Sequence, residues 1–402
     1  MNVTEWGFAF ATPDSGAESF ARIVPWGRTR GVEISDASRG TEGDLIAFHA
    51  SHQVTMRVPG GSSVPTAGLA FVTVLPGHRR RGILRSMIAE HFERSLSRGE
   101  IVSTLYASEA RIYQNFGYGH AGFVSRVNLG RGPGMREIPG AKDLPTTLEN
   151  ADMAKHAAVL RAVQERTTRP GTFTECDDAM IADSFMDMPE AREGKERLRI
   201  AWVEDAHGPA AYAIFARKGK WEFGIPNGEV EVHRYGAATP AAMQRLFSVV
   251  ADLDLMSTCF VPLVPLDSPL FHMMEDPRSL AAGLQENIWV RILDAPKALA
   301  ARGYATNLDV TFTLTDAMLP HNAGTWRLVA RAGGADAQVT SASGDQADVT
   351  LDIQELSAAY LGGVSLVAAA GAGLVQEHRE GAAARLSLAF QASEQPVCNY
   401  AF

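Results

Sequence analysis

Cysteine is scarce in this chain. Three occur among 402 residues (Cys176, Cys259 and Cys398), far apart and without metal-ligand spacing. That argues against a disulfide framework and a cysteine-built metal site, and it fits reduced thiols in a cytoplasmic protein. Long apolar runs are missing too. No segment reaches the ~18 uninterrupted apolar residues that a membrane span needs. The apolar stretch GVSLVAAAGAGLV (363–375) is short and runs into QEHRE, which suits a core helix with a small-residue face. The first residues lack a basic start followed by an apolar core, so no secretory signal is expected. Positive charge is the minority sign: 37 Lys and Arg against 46 Asp and Glu give a net charge of −9, which disfavours a nucleic-acid partner. What is present is an ordinary folded composition, 46% hydrophobic and 21% charged, at a length that allows two or three domains.

Against that acidic background, one joint concentrates arginine. In FVTVLPGHRRRGILRSMI (71–88) a β-branched run stops at Pro76, three arginines follow, and Gly82 precedes a helical pattern. The apolar residues Ile83, Leu84, Met87, Ile88, Phe92 and Leu96 recur at three- and four-residue steps, which predicts a helix ending near Gly99. The first-turn amides of such a helix have no intrahelical acceptors, and its dipole adds partial positive charge. A phosphate fits there, with Gly82 allowing close backbone approach and the arginines adding charge-assisted contacts. A solvated basic patch is the plainer alternative for an arginine run. The GxxxxGK[ST] pattern is absent, which disfavours ATP.

The surrounding chain reads as α/β. Residues 44–58 and 67–76 are expected strands separated by the turn PGGSSVP. IVSTLYA (101–107) is another strand, SEARIYQNF a short helix, and GYGHAGFVSRVNL a further strand. Strand, helix, strand at this spacing implies neighbouring parallel strands. The Gly/Pro-rich GRGPGMREIPGAKDLP (130–145) marks a first boundary. Beyond it, GEVEVHRYGAATPAAMQRLFSVVADLDLMSTCFVPLV repeats the strand–turn–helix–strand order with GAATP in place of the arginines. From about Ile288 the texture changes to short alternating strands in VTFTL, GTWRLVARA, AQVTS and ADVTLDI, then helical stretches expected at 355–371 and 373–385. The expected domains are therefore 1–135, 136–288 and 289–402, two α/β units followed by an α+β unit.

VTVLPGHRRRGIL resembles the coenzyme A pyrophosphate loop of GNAT-type N-acetyltransferases, Arg/Gln-x-x-Gly-x-Gly/Ala, with Arg79, Gly82 and Leu84 on the pattern. PTAGLAFVTVLPGHRRRGILRSM, LYASEARIYQNFGYG, IWVRILDAPKALAARGYA and the ending NYAF together resemble the enhanced intracellular survival (Eis) family. The resemblance implies two tandem GNAT-like domains and a sterol-carrier-protein-like C-terminal domain. It implies acetyl-CoA as co-substrate, with no metal, and an amine acceptor such as an aminoglycoside or a protein lysine. It also implies a homo-hexamer. Backbone near Val72 and Val74 would hold the pantetheine arm where the strand splays from its neighbour. The amides of Arg79 through Ile83, with the Arg79 and Arg80 side chains, would hold the pyrophosphate, and Ser108 would lie on the coenzyme's other side.

Acetyl transfer to an amine needs a neutral amine, donors for the oxyanion and a proton for the leaving thiolate. Tyr113 to Tyr118 (YQNFGY) matches the GNAT pattern Tyr-x-x-x-Gly-Phe, which makes Tyr113 the general acid and Tyr118 a core residue. The alternative is that Tyr113 and Phe116 only pack the short helix on the sheet. No motif supplies a base: His49, His52, His78, His91 and His120 all fall in the first domain, none at a telling position. The resemblance implies that the C-terminal carboxylate of Phe402 serves as base. Ala401 and Tyr106 stand where family members can carry an acid and a histidine, which would weaken selection for polycationic acceptors. With no cysteine near these motifs, direct transfer in a ternary complex is expected rather than an acetyl-enzyme. A GNAT enzyme dedicated to one biosynthetic amine and a non-catalytic lipid-binding scaffold are the alternatives.

Overall fold

The computed structural model describes residues 2–9, 16–36, 38, 40–334, 337–398, 400 and 402. Three sheets organise it, of seven, seven and five strands, beside a small two-stranded ribbon.

The first sheet centres on two long strands, Leu45–Arg57 and Ser63–Val74, paired antiparallel around a tight turn at 59–62, so the expected turn PGGSSVP gives its last three residues to the second strand. Pro76 ends the second strand and opens a short 3-10 turn, Pro76–His78. The helix Ile83–Ser97 then follows, burying Met87, Ile88 and Phe92 on the face that the sequence spacing marked. Val102–Leu105 returns parallel to Ser63–Val74, through the pairs Thr66↔Val102, Ala67↔Ser103 and Gly68↔Thr104. The expected strand–helix–strand unit is there, and in the second sheet Gly228–Ala237, the helix Pro240–Val250 and Met256–Pro265 repeat it, again with parallel strands.

The sheets do not part at 135 and 288. Phe123–Gly130 leaves the first sheet and pairs antiparallel with Met256–Pro265 in the second. In return, Trp289–Ile292 enters the first sheet between Val102–Leu105 and Gly119–His120, buried along its whole length. Phe173–Cys176 also joins the first sheet, at the far side of Leu45–Arg57. Composition marks flexible linkers, but strand pairing is decided in space, so GYGHAGFVSRVNL splits at Ala121–Gly122 into strands of two different sheets.

The third sheet runs in the order Gln338–Ser341, Gly324–Ala330, Leu308–Thr315, Val349–Asp352, Val375–Glu377. Its helices are Ala295–Ala301, Ile353–Ala359, Leu366–Gly371 and Ala382–Phe390, so the helical stretch expected over 355–371 is broken at 360–365 and the one expected over 373–385 is replaced by a strand and a later helix start. Gly373 and Gly381, both left-handed at φ 79° and 76°, bracket the change. The first sheet and the third domain share one core, in which Val290 and Ile292 pack with Val310, Phe312, Tyr360 and Phe390. Arg291 fixes that junction. Buried, it meets both Asp316 carboxylate oxygens at 2.7 Å and donates to the Phe116 and Ile292 carbonyls. Arg302, also fully buried, is satisfied by the carbonyls of Gly303, Tyr360 and Phe390 and lies 4.1 Å over the Phe390 ring. Among the described residues no helix is long and apolar enough to cross a membrane.

Candidate active site

The site begins with a defect in the first sheet. Phe48 pairs with Thr73 and Ala50 with Ala70, so Phe71 and Val72 together face His49. Phe71 takes φ +56°, rare for a bulky side chain, and a bulge of this kind re-aims the strand. Past Gly68↔Thr104 the parallel ladder stops while Ser63–Val74 runs on. The backbone edge at Val72 and Val74 is thereby freed on that side. Val72 and Tyr113 belong to one apolar cluster, with Ile88, Phe116 and Tyr118.

Arg79, Arg80, Arg81 and Gly82 are all exposed at the joint. Arg80 and Gly82 both have positive φ, 61° and 80°, and Gly82 is the left-handed N-cap of the helix, with no side-chain cap. The first-turn amides from Ile83 onward therefore face the loop without a built-in acceptor. The Arg79 side chain turns back to the Val74 carbonyl at 3.4 Å, and Arg81 lies 3.5 Å from His78. Ser108 is exposed in the bend between Val102–Leu105 and the short helix Ala110–Gln114.

Tyr113 sits on that short helix, half-buried, its ring 5.9 Å from that of Tyr118. Burial, helped by Glu109, pushes its hydroxyl up to about 12, so the proton stays on until a stronger base appears. Tyr118 is fully buried and its hydroxyl meets Ser103 at 2.7 Å, which in turn meets His91 at 2.9 Å. His49 and His91 are buried inside the domain and held neutral, His49 down at about 4 by burial and Arg30, and His91 well below the usual range by burial.

The C-terminus returns to this domain. The Phe402 ring lies over Gly68, where an added Cβ would meet ring atoms at 3.1 and 3.3 Å, and it packs against His52, Tyr106 and Phe173. The tail is clasped on the way. The Val397 amide donates to Pro170 at 2.9 Å, and the Cys398 amide donates to Asn287 at 2.7 Å. The Cys398 carbonyl accepts from Tyr106 at 2.5 Å and from Asn287 at 3.0 Å. Tyr400 is buried under Arg234, 4.2 Å above its ring. Asn399 and Ala401 lie outside the described residues. Tyr106 thus holds the tail. Cys398 does come close to the motifs through this tail, but burial pushes its thiol up to about 12, which leaves it a poor nucleophile.

Sequence reasoning passed over one pair. His52 Nδ1 meets Asp177 at 2.9 Å, with the histidine buried beside Phe402 and the aspartate arriving from the second α/β region. Nothing in the local sequence links two residues so far apart. The only signal was a histidine in the middle of a buried strand, the ordinary sign of a packed polar side chain.

A sheet bulge, an adjacent splay and an uncapped glycine-led helix facing it are the architecture of a GNAT acyltransferase. Residues 2–121 and 179–292 each match an acetyltransferase (GNAT) domain family, and residues 295–399 match the sterol carrier protein domain family. An uncharacterized N-acetyltransferase of Streptomyces avermitilis is 36% identical, with 96% of this chain and 92% of that protein covered. The N-acetyltransferase Eis of Mycobacterium tuberculosis is 29% identical over the same shares. Eis1 from Mycobacterium abscessus superposes with a TM-score of 0.81 at 27% identity, covering 100% of this chain and 96% of that one. The chain belongs to the Eis family of GNAT-type N-acetyltransferases, two tandem GNAT domains followed by a sterol-carrier-like domain. The reading as a non-catalytic scaffold is thereby overturned.

Proposed function

We propose that the chain transfers the acetyl group of acetyl-CoA directly to the amine of a small molecule, in a ternary complex within the first domain. The observation that carries this reading is the pairing of an exposed, uncapped helix start with a C-terminus folded back onto the strand that leads into it. The amides from Arg79 to Ile83, with Arg79 and Arg80, hold the pyrophosphate. Backbone groups at Val72 and Val74 hold the pantetheine arm, and Ser108 lies on its other side. Tyr113 protonates the departing thiolate, a role suited to a hydroxyl that gives up its proton only as charge develops.

The Phe402 carboxylate draws the cationic amine into the cleft and acts as base, directly or through a water. Its ring is the anchor, seated on Gly68 between His52 and Tyr106. Aminoglycosides are the acceptors that the family suggests, with protein lysines as an alternative class. The three thiols are free and buried, which favours direct transfer over an acetyl-enzyme.

Thiol release from acetyl-CoA against a panel of polyamines, aminoglycosides and small primary amines tests the reading. The same assay on a chain lacking Phe402 should show kcat largely abolished while acetyl-CoA still binds by calorimetry. Full activity in the truncated chain, or in one extended past Phe402, would remove the carboxylate from the mechanism.

A further inference from the structure

His52 and Asp177 form a buried pair at the point where the C-terminus meets the first sheet. His52 stands opposite Gly68 in the strand register, and its Cβ lies 3.2 Å from where a Gly68 side chain would begin. The Phe402 ring covers that same glycine, at 3.1 Å, and is edge-on to the His52 ring with centroids 5.9 Å apart. Phe71, the bulge residue, is 6.3 Å from His52 on the other side. The imidazole is thus framed by the strand defect and by the residue that carries the terminal carboxylate.

Asp177 fixes the ring. It approaches Nδ1 with both oxygens, at 2.9 and 3.2 Å, and accepts from the amides of Gln53 and Met180 at 2.9 Å each. Burial opposes ionisation of Asp177, and the His52 contact with the two amides outweighs it, holding the carboxyl below the usual range. With Nδ1 engaged, Nε2 is the nitrogen left for chemistry, the orienting arrangement that serves a histidine general base.

We propose that His52, positioned by Asp177, is the final acceptor of the amine proton, which the Phe402 carboxylate takes up as it draws the amine into the cleft and relays to the imidazole. This rests on the acetyl-transfer reading above. A neutral imidazole is a stronger base than a carboxylate, so it is the better resting place for a proton taken from an ammonium group. One N–H proton of the ammonium passes by way of the Phe402 carboxylate to Nε2. The freed lone pair attacks the thioester carbonyl carbon, the C–N bond forms and the C–S bond then breaks. The thiolate leaves with the Tyr113 proton, and the second N–H proton restores Tyr113 through water. His52 returns its proton to solvent, so amide, thiol and one proton are the products. Besides Asp177, the charged groups acting around His52 are Asp183 and its partner Arg234, 3.1 Å apart, and Tyr106 packs against the Phe402 ring that borders the imidazole.

The test is kcat against pH for the full chain and for His52→Gln, with acetyl-CoA binding measured by calorimetry on both. The wild-type profile should level off on the alkaline side. The variant should be about 10²-fold slower near neutral pH and should keep rising with pH as free amine replaces the missing base, while coenzyme affinity is unchanged. Asp177→Asn should show the same change of profile to a smaller degree. His52→Ala should recover rate in proportion to added imidazole. Parallel profiles at every pH with no imidazole rescue would overturn the proposal and leave His52 a packing residue. If His52→Gln fails to fold, Asp177→Asn and the imidazole response decide alone. A wild-type chain that acetylates none of the amines would instead overturn the acetyl-transfer reading itself.

Discussion

At the first strand–helix joint, the helix begins on a left-handed Gly82 with no side-chain cap and with exposed arginines ahead of it. At the second, the helix Pro240–Val250 begins on Thr239, whose hydroxyl accepts from the Ala242 amide at 3.2 Å, with Pro240 at the first position. Pro240 has no amide hydrogen to offer and Thr239 satisfies one of the remaining donors, so the second helix closes its own end. Its cleft is put to another use. Arg169, Tyr235, Thr239, Glu394 and Val397 line it. Arg169 ties the C-terminal tail there by contacts to Glu394 at 3.1 Å and the Gln395 carbonyl at 2.8 Å. One supersecondary unit thus appears twice, with an uncapped helix start in the first copy and, in the second, a start closed by its own residues beside a cleft that the protein's own tail helps to line. The comparison teaches that a cap, as much as the charge, decides whether a helix end keeps donors to offer.

The largest expected effect belongs to the first copy. Tyr113→Phe keeps the ring packing and removes only the proton donor, so kcat should fall ~10²–10⁴-fold with both KM values nearly unchanged. Tyr118→Phe, a core change one turn away, should leave steady-state kinetics close to wild type. Next, replacing Arg79 and Arg80 by alanine removes charge-assisted contacts worth roughly 1.5–3 kcal/mol each before non-additivity. The KM for acetyl-CoA should rise at least tenfold while a thermal melt shows the fold intact. A coenzyme found in the second cleft by crystallography would break the comparison outright. The smallest effect sharpens it from the other side. Arg169→Ala loosens the tail without touching the first joint, so kcat should drop roughly two- to fivefold, the scale of partly exposed ion pairs, with coenzyme affinity unchanged.

The locally encoded parts of this fold were legible. The helix Ile83–Ser97 follows from its apolar spacing, Pro76 stops its strand, and the two parallel strand–helix–strand units follow from their repeats. The left-handed requirement at Gly82 is the sort of conformation that a glycine announces. What escaped the sequence depends on distant partners. The exchange of Phe123–Gly130 for Trp289–Ile292 leaves no compositional trace, because both segments look like ordinary buried strands. His52 and Asp177 meet only because Phe173–Cys176 docks beside Leu45–Arg57 and delivers the aspartate one residue later. The misread stretch 373–385 had a helix-rich composition, and two left-handed glycines overrode it.

The exchanged strand has a consequence for how the molecule is made. Trp289–Ile292 is an interior strand of the first sheet, bracketed by Val102–Leu105 and Gly119–His120. On the ribosome, that slot stays open until nearly three quarters of the chain has emerged, at roughly 5–20 residues per second. For those tens of seconds the nascent first domain presents two unpaired strand edges and an apolar sheet face, the surfaces that holding chaperones bind. Late closure also orders events, since the first sheet is completed only as the domain that delivers Phe402 begins to appear.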